Sequence, residues 1–72
     1  MADIEHLKWL RTLPLRKLIQ ARRAYEEAYI KHEGIEKDFC QVLVFKKWCL
    51  TWIGDIPERI DDLTKVIEEK IK

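Results

Sequence analysis

The side chains that most often carry out chemistry in proteins are sparse in this sequence, which has two histidines and two cysteines. His6 and His32 are far apart in the chain, and nothing in the sequence places either beside Cys40 or Cys49. Thiol catalysis needs a base next to the cysteine, and a zinc site needs several ligands at short spacing. The one such pair, His32 with Glu36, spans a glycine that should end a helix. We therefore predict a non-enzyme with no metal and no cofactor.

Basic residues are the second group of side chains that could have a function. Six of them fall within a short N-terminal span: Lys8, Arg11, Arg16, Lys17, Arg22 and Arg23. Arg16 and Arg23 are seven residues apart, so a helix would place them on one face. A patch of this kind can bind a phosphate backbone or an acidic protein surface. It can also be an ordinary solvated face neutralised by Glu26 and Glu27. Possible nucleic-acid binding through this patch is therefore the alternative function.

The length of the chain limits its stability. Seventy-two residues form a single domain, residues 1–72, and a core of that size rarely supplies more than roughly 3–5 kcal/mol. Small proteins often add a disulfide, a metal or a partner chain. Cys40 and Cys49 would face opposite sides of a helix and could not join within one chain, because a disulfide needs Cα atoms within about 7 Å. We expect two reduced thiols, with an intermolecular disulfide as the alternative.

The sequence shows no targeting or membrane segment. Asp3 and Glu5 stand where a signal peptide would be basic. Lys46 and Lys47 interrupt the most apolar stretch, so no uncharged run reaches the roughly 18 residues that a membrane span needs. We expect a cytoplasmic protein with no membrane contact.

The spacing of apolar residues predicts an all-α protein, a compact bundle of three to four helices at about 3–12, 14–33, 35–53 and 56–71. Asp3 is a favourable N-cap for the first helix, and Pro14 suits the first turn of the second, with Thr12 or Leu13 as its cap. Gly34 should end the second helix. The second helix has one apolar face, which comprises Leu15, Leu18, Ile19, Tyr25, Ala28 and Tyr29. Asp55 to Glu58 reads as a capping box for the last helix.

The most apolar stretch runs from Phe39 to Ile53, and we interpret it as the third helix. Cys40 to Phe45 alone would suit a buried strand, but the flanking residues lack turn formers. On a helix its apolar residues form two opposite seams. The seam assigned to the fold comprises Phe39, Val42, Leu43, Leu50 and Ile53, with Lys46 either reaching to the edge or pairing with an acid. The other comprises Val44, Phe45, Trp48 and Trp52 and is either core or interface.

These patterns favour a small, non-catalytic protein-interaction or regulatory module that acts through helix packing. Its partner is expected to be a second copy in a homodimer, or another helical protein, because a small core gains much from association. Tryptophan and tyrosine are common at the centre of interfaces. The interface candidates are Phe45, Trp48, Trp52, Tyr25 and Tyr29.

Overall fold

A computed structural model describes residues 4–72 and contains three helices and a β-hairpin. In chain order the elements are α1 (Ile4–Arg11), α2 (Leu15–Lys31), β1 (Phe39–Val44), β2 (Lys47–Trp52), a short 3-10 turn (Ile53–Asp55) and α3 (Ile56–Ile71). The prediction of an all-α helical bundle is therefore wrong. The predicted helices at 3–12, 14–33 and 56–71 have counterparts in α1, α2 and α3, and the predicted helix at 35–53 does not exist. The predicted cap at Asp3 lies outside the described residues.

The junction between α1 and α2 is a tight corner. The Thr12 hydroxyl donates to the Trp9 carbonyl over 2.6 Å, which satisfies a carbonyl at the end of α1. Pro14 is the N-cap of α2, with extended backbone angles, and its carbonyl accepts from the Leu18 amide over 3.2 Å. The cap is thus one or two residues later than predicted. Helix α2 ends at Lys31, and Gly34 follows in the left-handed region with φ 86°, which a glycine adopts without steric cost.

Helix α2 lies at the centre of the fold, packed against α3 and β1. Its buried residues are Leu18, Ala21, Tyr25 and Ala28. Ala21 and Ala28 present only a methyl group to their neighbours, so a second element can approach the helix closely. The predicted apolar face was too wide, because Ile19 and Tyr29 are exposed.

Helix α3 covers the other side of the core. Ile56, Leu63, Val66 and Ile67 are its buried residues. Their spacing of three, four and seven matches the stripe expected of a helix packed on one side. Asp55 is the N-cap, as expected, but its side chain makes no capping hydrogen bond.

The segment predicted as the third helix is the β1–β2 hairpin. Its strands pair antiparallel, with Val44 opposite Lys47 next to the turn and Phe39 opposite Trp52 at the open end. Burial alternates residue by residue along β1, with Cys40, Val42 and Val44 buried and the residues between them exposed. This period of two is that of a strand with one face on the core. Apolar residues on both faces hid the alternation from sequence reasoning.

A two-residue turn at Phe45 and Lys46 joins the strands. Both residues have positive φ, 52° and 64°, the pair of signs that defines a type I′ hairpin turn. Such turns normally use Asn-Gly or Asp-Gly, and a bulky residue such as phenylalanine in this region is a conformational outlier. Lys46 is an exposed turn residue, so the prediction that it lies within a packed helical seam is also wrong.

The hairpin changes the relation between the two cysteines. Cys40 lies opposite Thr51 and Cys49 opposite Val42, so both thiols are on the same face of the sheet, not on opposite sides of a helix. Such diagonal neighbours are roughly 7–8 Å apart, beyond the usual span of a disulfide. Both cysteines are free. Burial is the main cause of a raised pKa for the Cys40 thiol, with a further contribution from the charge of Asp38.

Candidate interaction surface

The outer face of the hairpin is the most exposed apolar surface that its strands form. We use "outer face" for the side that points away from the helices, with members Phe39, Gln41, Leu43, Trp48, Leu50 and Trp52. Trp48 and Leu50 are each 67% exposed, Phe39 is 55% exposed and Leu43 is 48% exposed. Val42, on the opposite side of the same strand, is 2% exposed.

The register determines how the members of the outer face meet. Phe39 lies opposite Trp52, and Leu43 lies opposite Trp48. Because Val44 and Lys47 flank a two-residue turn and form a hydrogen-bonded pair, the outer-face residues fall in the non-hydrogen-bonded pairs of the ladder. Side chains are closest in such pairs. Large apolar groups are thus grouped into one compact patch.

The open end of the hairpin is held in a defined geometry. The rings of Phe39 and Trp52 pack edge to face, with centroids 4.8 Å apart and planes at 70°, an arrangement worth about 0.5–1.5 kcal/mol beyond the area it buries. The Asp38 carbonyl accepts from the Ile53 amide over 2.9 Å, and the Asp38 carboxylate accepts from the Phe39 amide over 2.7 Å. The first of these bonds joins the residue that enters the sheet to the one that leaves it, and the second is local to the start of β1.

Gly54 allows the chain to pass close to Trp52. A Cβ atom added at Gly54 would come within 3.0 Å of both the Trp52 Nε1 atom and the Glu36 carbonyl oxygen. Because the second of these atoms belongs to the backbone, any larger residue would force the chain to shift. The position of the Trp52 ring therefore depends on a glycine two residues later.

A groove of about 280 Å³ runs between α2 and the outer face. Leu43, Trp48 and Gln41 line its sheet side, and Glu27 and Lys31 are among the helix residues on the other. Polar side chains of α2 thus border the apolar side chains of the outer face. Apolar centres with polar rims are typical of protein interfaces.

Both strands of the sheet are edge strands. The sheet has the order β1–β2, so within residues 4–72 neither strand has a second strand beside it. Exposed edges leave backbone amides and carbonyls available for pairing with another chain. An apolar face next to open edges is a surface that can accept a further β-element or a second sheet.

The five interface candidates lie in different parts of the structure. Trp48 and Trp52 lie together on the outer face. Phe45 lies in the turn, where its ring packs edge to face on Trp9 with centroids 5.1 Å apart. Tyr25 is a core residue, 6% exposed, and Tyr29 is on α2 at 36% exposed.

Sequence reasoning missed part of the outer face. It assigned Phe39, Leu43 and Leu50 to the core, yet all three are exposed, whereas Val42 and Ile53 from the same predicted seam are buried. The alternation from Phe39 to Val44 is one of burial and not of residue type, so the sequence carried no alternating signal that would have identified the strand.

Tyr25 has a structural environment rather than an interfacial one. The Arg59 guanidinium lies over its ring, with 6.0 Å between the Cζ atom and the ring centroid. Burial is the main cause of a raised pKa for the Tyr25 phenol, which the charge of Arg59 partly offsets. Cation–π contacts at this distance are worth about 0.5–1 kcal/mol, so the pair helps to join α2 to α3.

The predicted basic patch is partly neutralised. Arg11 forms a two-pronged ion pair with Glu69 of α3, with N···O distances of 2.8 and 3.1 Å. This contact raises the pKa of Arg11 and lowers that of Glu69. Arg22 pairs with Glu26 over 3.0 Å. The other members of the patch, Lys8, Arg16, Lys17 and Arg23, are exposed.

Lysine side chains come together instead at the turn end of the hairpin. Lys17 of α2 lines one cleft with Phe45 and Lys46, and a second cleft with Phe45 and Lys47. The sequence analysis grouped Lys17 with the arginines of the helices and did not connect it to the later lysines. Only the fold of the hairpin onto α2 brings these residues together.

Other classes of site find little support in the part of the chain that the structure describes. Within residues 4–72 no group of three or more histidine, cysteine or acidic side chains is placed to hold a metal ion. Over the same residues, no helix combines the length and the apolar character that crossing a membrane requires. Comparison of the chain with protein-family models, curated proteins and solved structures finds no match.

Proposed function

We propose that this protein is a small, non-catalytic interaction module that forms a homodimer through the outer face of its hairpin. The observation that carries the proposal is the exposure of four large apolar side chains on one side of a two-stranded sheet: Phe39, Leu43, Trp48 and Leu50. Packing these groups against apolar partners is worth about 25 cal/mol for each Å² of surface removed from water. The dimer surface is thus part of a sheet, not the helix packing expected from the sequence.

The distribution of charge along the hairpin favours a second copy as the partner. Lys46 and Lys47 lie at the turn end, and Glu36, Asp38 and Asp55 lie near the open end. A two-fold axis that lies in the interface and runs perpendicular to the strands would place the turn end of one copy against the open end of the other. Opposite charges would then meet at both rims, and such complementarity guides orientation and register.

The two free thiols fit a reducing compartment, and we propose a cytoplasmic location for the dimer.

Nucleic-acid binding is the weaker proposal. Arg11 and Arg22 already pair with carboxylates, which leaves fewer basic groups for phosphates. Salt-sensitive retention on nucleic acid, lost on replacing Arg16 and Arg23 by glutamate, would favour this alternative instead.

The direct test is sedimentation equilibrium of the Trp48→Ala and Trp9→Ala variants. Both tryptophans are exposed, at 67% and 46%, but only Trp48 is on the outer face. We expect Trp48→Ala to weaken dimerisation by about 2 kcal/mol, roughly thirtyfold in the dissociation constant, as at interface hot spots. Trp9→Ala should leave the dissociation constant unchanged. A wild-type protein that stays monomeric at high concentration, or equal effects of the two variants, would contradict the proposal.

A further inference from the structure

The turn end of the hairpin forms a second surface feature, separate from the outer face. A cleft of about 410 Å³ lies on the inner side of the sheet, where the hairpin meets the corner between α1 and α2. This volume is within the roughly 300–1,000 Å³ of small-molecule sites. Its lining residues are Trp9, Leu13, Lys17, Val44, Phe45, Lys47 and Cys49.

The walls of the cleft are apolar and partly aromatic. Trp9 and Phe45 pack edge to face, with centroids 5.1 Å apart and planes at 79°. Trp9 is also 5.9 Å from the ring of His6, measured between centroids. Val44 forms the floor, since it is only 4% exposed. An aromatic ring or an acyl chain would find complementary surface here.

The charged groups of the cleft have one sign. Lys17 and Lys47 line it, and its lining includes no aspartate or glutamate. On the other side of Phe45, Lys17 and Lys46 line a neighbouring cleft of about 240 Å³. An ammonium group that lacks a carboxylate neighbour is a good partner for an anion, because charge-assisted hydrogen bonds are stronger than those between neutral groups.

The backbone of the turn is in a conformation that has an energetic cost. Phe45 has φ 52°, a region that is strained for non-glycine residues and recurs at ligand sites. This conformation places the Phe45 ring against Trp9. The strained residue is therefore the one that forms a wall of the cleft.

We propose that this cleft binds a small amphipathic carboxylate, with its apolar part against the packed rings of Trp9 and Phe45 and its carboxylate between Lys17 and Lys47. Charge complementarity, the size of the cleft and its aromatic walls support this proposal. None of the lining residues belongs to the outer face, and of them only Lys47 is also a rim charge of the proposed dimer.

The test uses a protein in which Trp9 is the sole tryptophan, made by Trp48→Phe and Trp52→Phe. Its fluorescence is titrated with dodecanoate below the micelle concentration, and with dodecyltrimethylammonium as a probe of the same tail and opposite charge. We expect a saturable change in Trp9 fluorescence with dodecanoate and no such change with dodecyltrimethylammonium. The added substitutions Lys17→Gln and Lys47→Gln should each weaken binding at least about tenfold, from the loss of one charge-assisted bond. Lys31→Gln is the control, because Lys31 does not line this cleft.

Three results would overturn the proposal. The first is a Trp9 signal that does not respond to dodecanoate in folded protein. The second is equal binding of the cationic probe, which would show apolar adsorption without recognition of the carboxylate. The third is an equal loss of affinity in Lys31→Gln and the two cleft variants, which would indicate a general effect of surface charge. Circular dichroism of each variant verifies that it is folded.

Discussion

The inner and outer faces of the hairpin come from the same two strands but have different environments. Cys40, Val42 and Val44 face the helices and are buried, whereas the alternating residues Leu43 and Leu50 on the opposite face are among its exposed members. The inner side chains are small or β-branched, and several of the outer ones are large. The face that packs on the helices is therefore the one with the smaller apolar side chains. That difference is the observation on which the proposed dimer rests.

A small protein gains stability from every large side chain that it buries. Burying a leucine or phenylalanine is worth about 1.5–3 kcal/mol, and large exposed patches on soluble proteins mark interaction sites more often than chance surface composition does. In the observed register Trp48 and Leu50 share the face opposite to that of Val42 and Val44, and the latter two pack on the helices. The apolar outer face therefore follows from which face of the hairpin packs on the core.

The largest effect should distinguish the two faces directly. Val42→Asp places a carboxylate in the core and should lower the free energy of unfolding by about 3 kcal/mol or more. Leu50→Asp, on the outer face, should change the unfolding free energy of the monomer by no more than about 0.5 kcal/mol. Urea denaturation at a concentration that favours monomers measures both. Similar losses for the two variants would remove the distinction between the faces.

The turn sets the pairing of the two strands, and relieving its strain should stabilise the hairpin. Lys46 has φ 64°, and Lys46→Gly should raise the free energy of unfolding by about 1 kcal/mol, since a left-handed residue costs roughly 1–2 kcal/mol. The control is Lys47→Gly in β2, which should lower it by about 0.5–1 kcal/mol. Thermal or urea unfolding reports the sign of each change. Destabilisation by Lys46→Gly would argue against the type I′ turn.

The proposed orientation of the dimer has its own test. Lys46→Glu should weaken dimerisation by about 0.5–1 kcal/mol, the upper range for exposed ion pairs, and adding Glu36→Lys should restore it. Sedimentation equilibrium at low and moderate salt measures the change and its screening. Additive losses in the double variant would show that the two residues do not meet across the interface.

The smallest effect should come from a contact remote from both faces. Arg11 holds the pKa of the Glu69 carboxyl below its ordinary value through their hydrogen bonds. A lowered pKa in the folded state means that the contribution to stability is present above the unfolded pKa and is lost as the pH falls through the folded pKa. Glu69→Gln should therefore weaken the acid dependence of unfolding slightly, and the neighbouring Glu68→Gln should not. Equal pH profiles for the two variants would show that the α1–α3 ion pair contributes nothing.

The helices could be predicted from the sequence because their signals are local. Leu18 and Tyr25 are seven residues apart and both are buried, and Ile56, Leu63 and Ile67 follow the same rule on α3. Pro14 and Pro57 mark helix starts through their fixed φ, and Gly34 marks a helix end because glycine tolerates a positive φ. These features depend only on neighbouring residues.

The hairpin could not be predicted in the same way. Its turn is Phe-Lys, which lacks the glycine or asparagine that normally reveals a type I′ turn. Its outer face is apolar, which removes the contrast between inner and outer positions on which strand recognition depends. Of the predicted seam, only Trp48 and Trp52 share a face, because residues four apart do so on both a helix and a strand; Val44 is on the inner face and Phe45 is in the turn. The roles proposed for Leu50 in the outer face and for Trp9 in the cleft could be recognised only from the fold.

The account rests most heavily on the outer face being covered by a second copy. The direct measurement is acrylamide quenching of a protein whose sole tryptophan is Trp48, made by Trp9→Phe and Trp52→Phe, at low and high protein concentration. The account predicts that quenching of Trp48 falls as the concentration rises, while quenching in a matched protein with Trp9 alone stays constant. Quenching of Trp48 that is the same at all concentrations would contradict it.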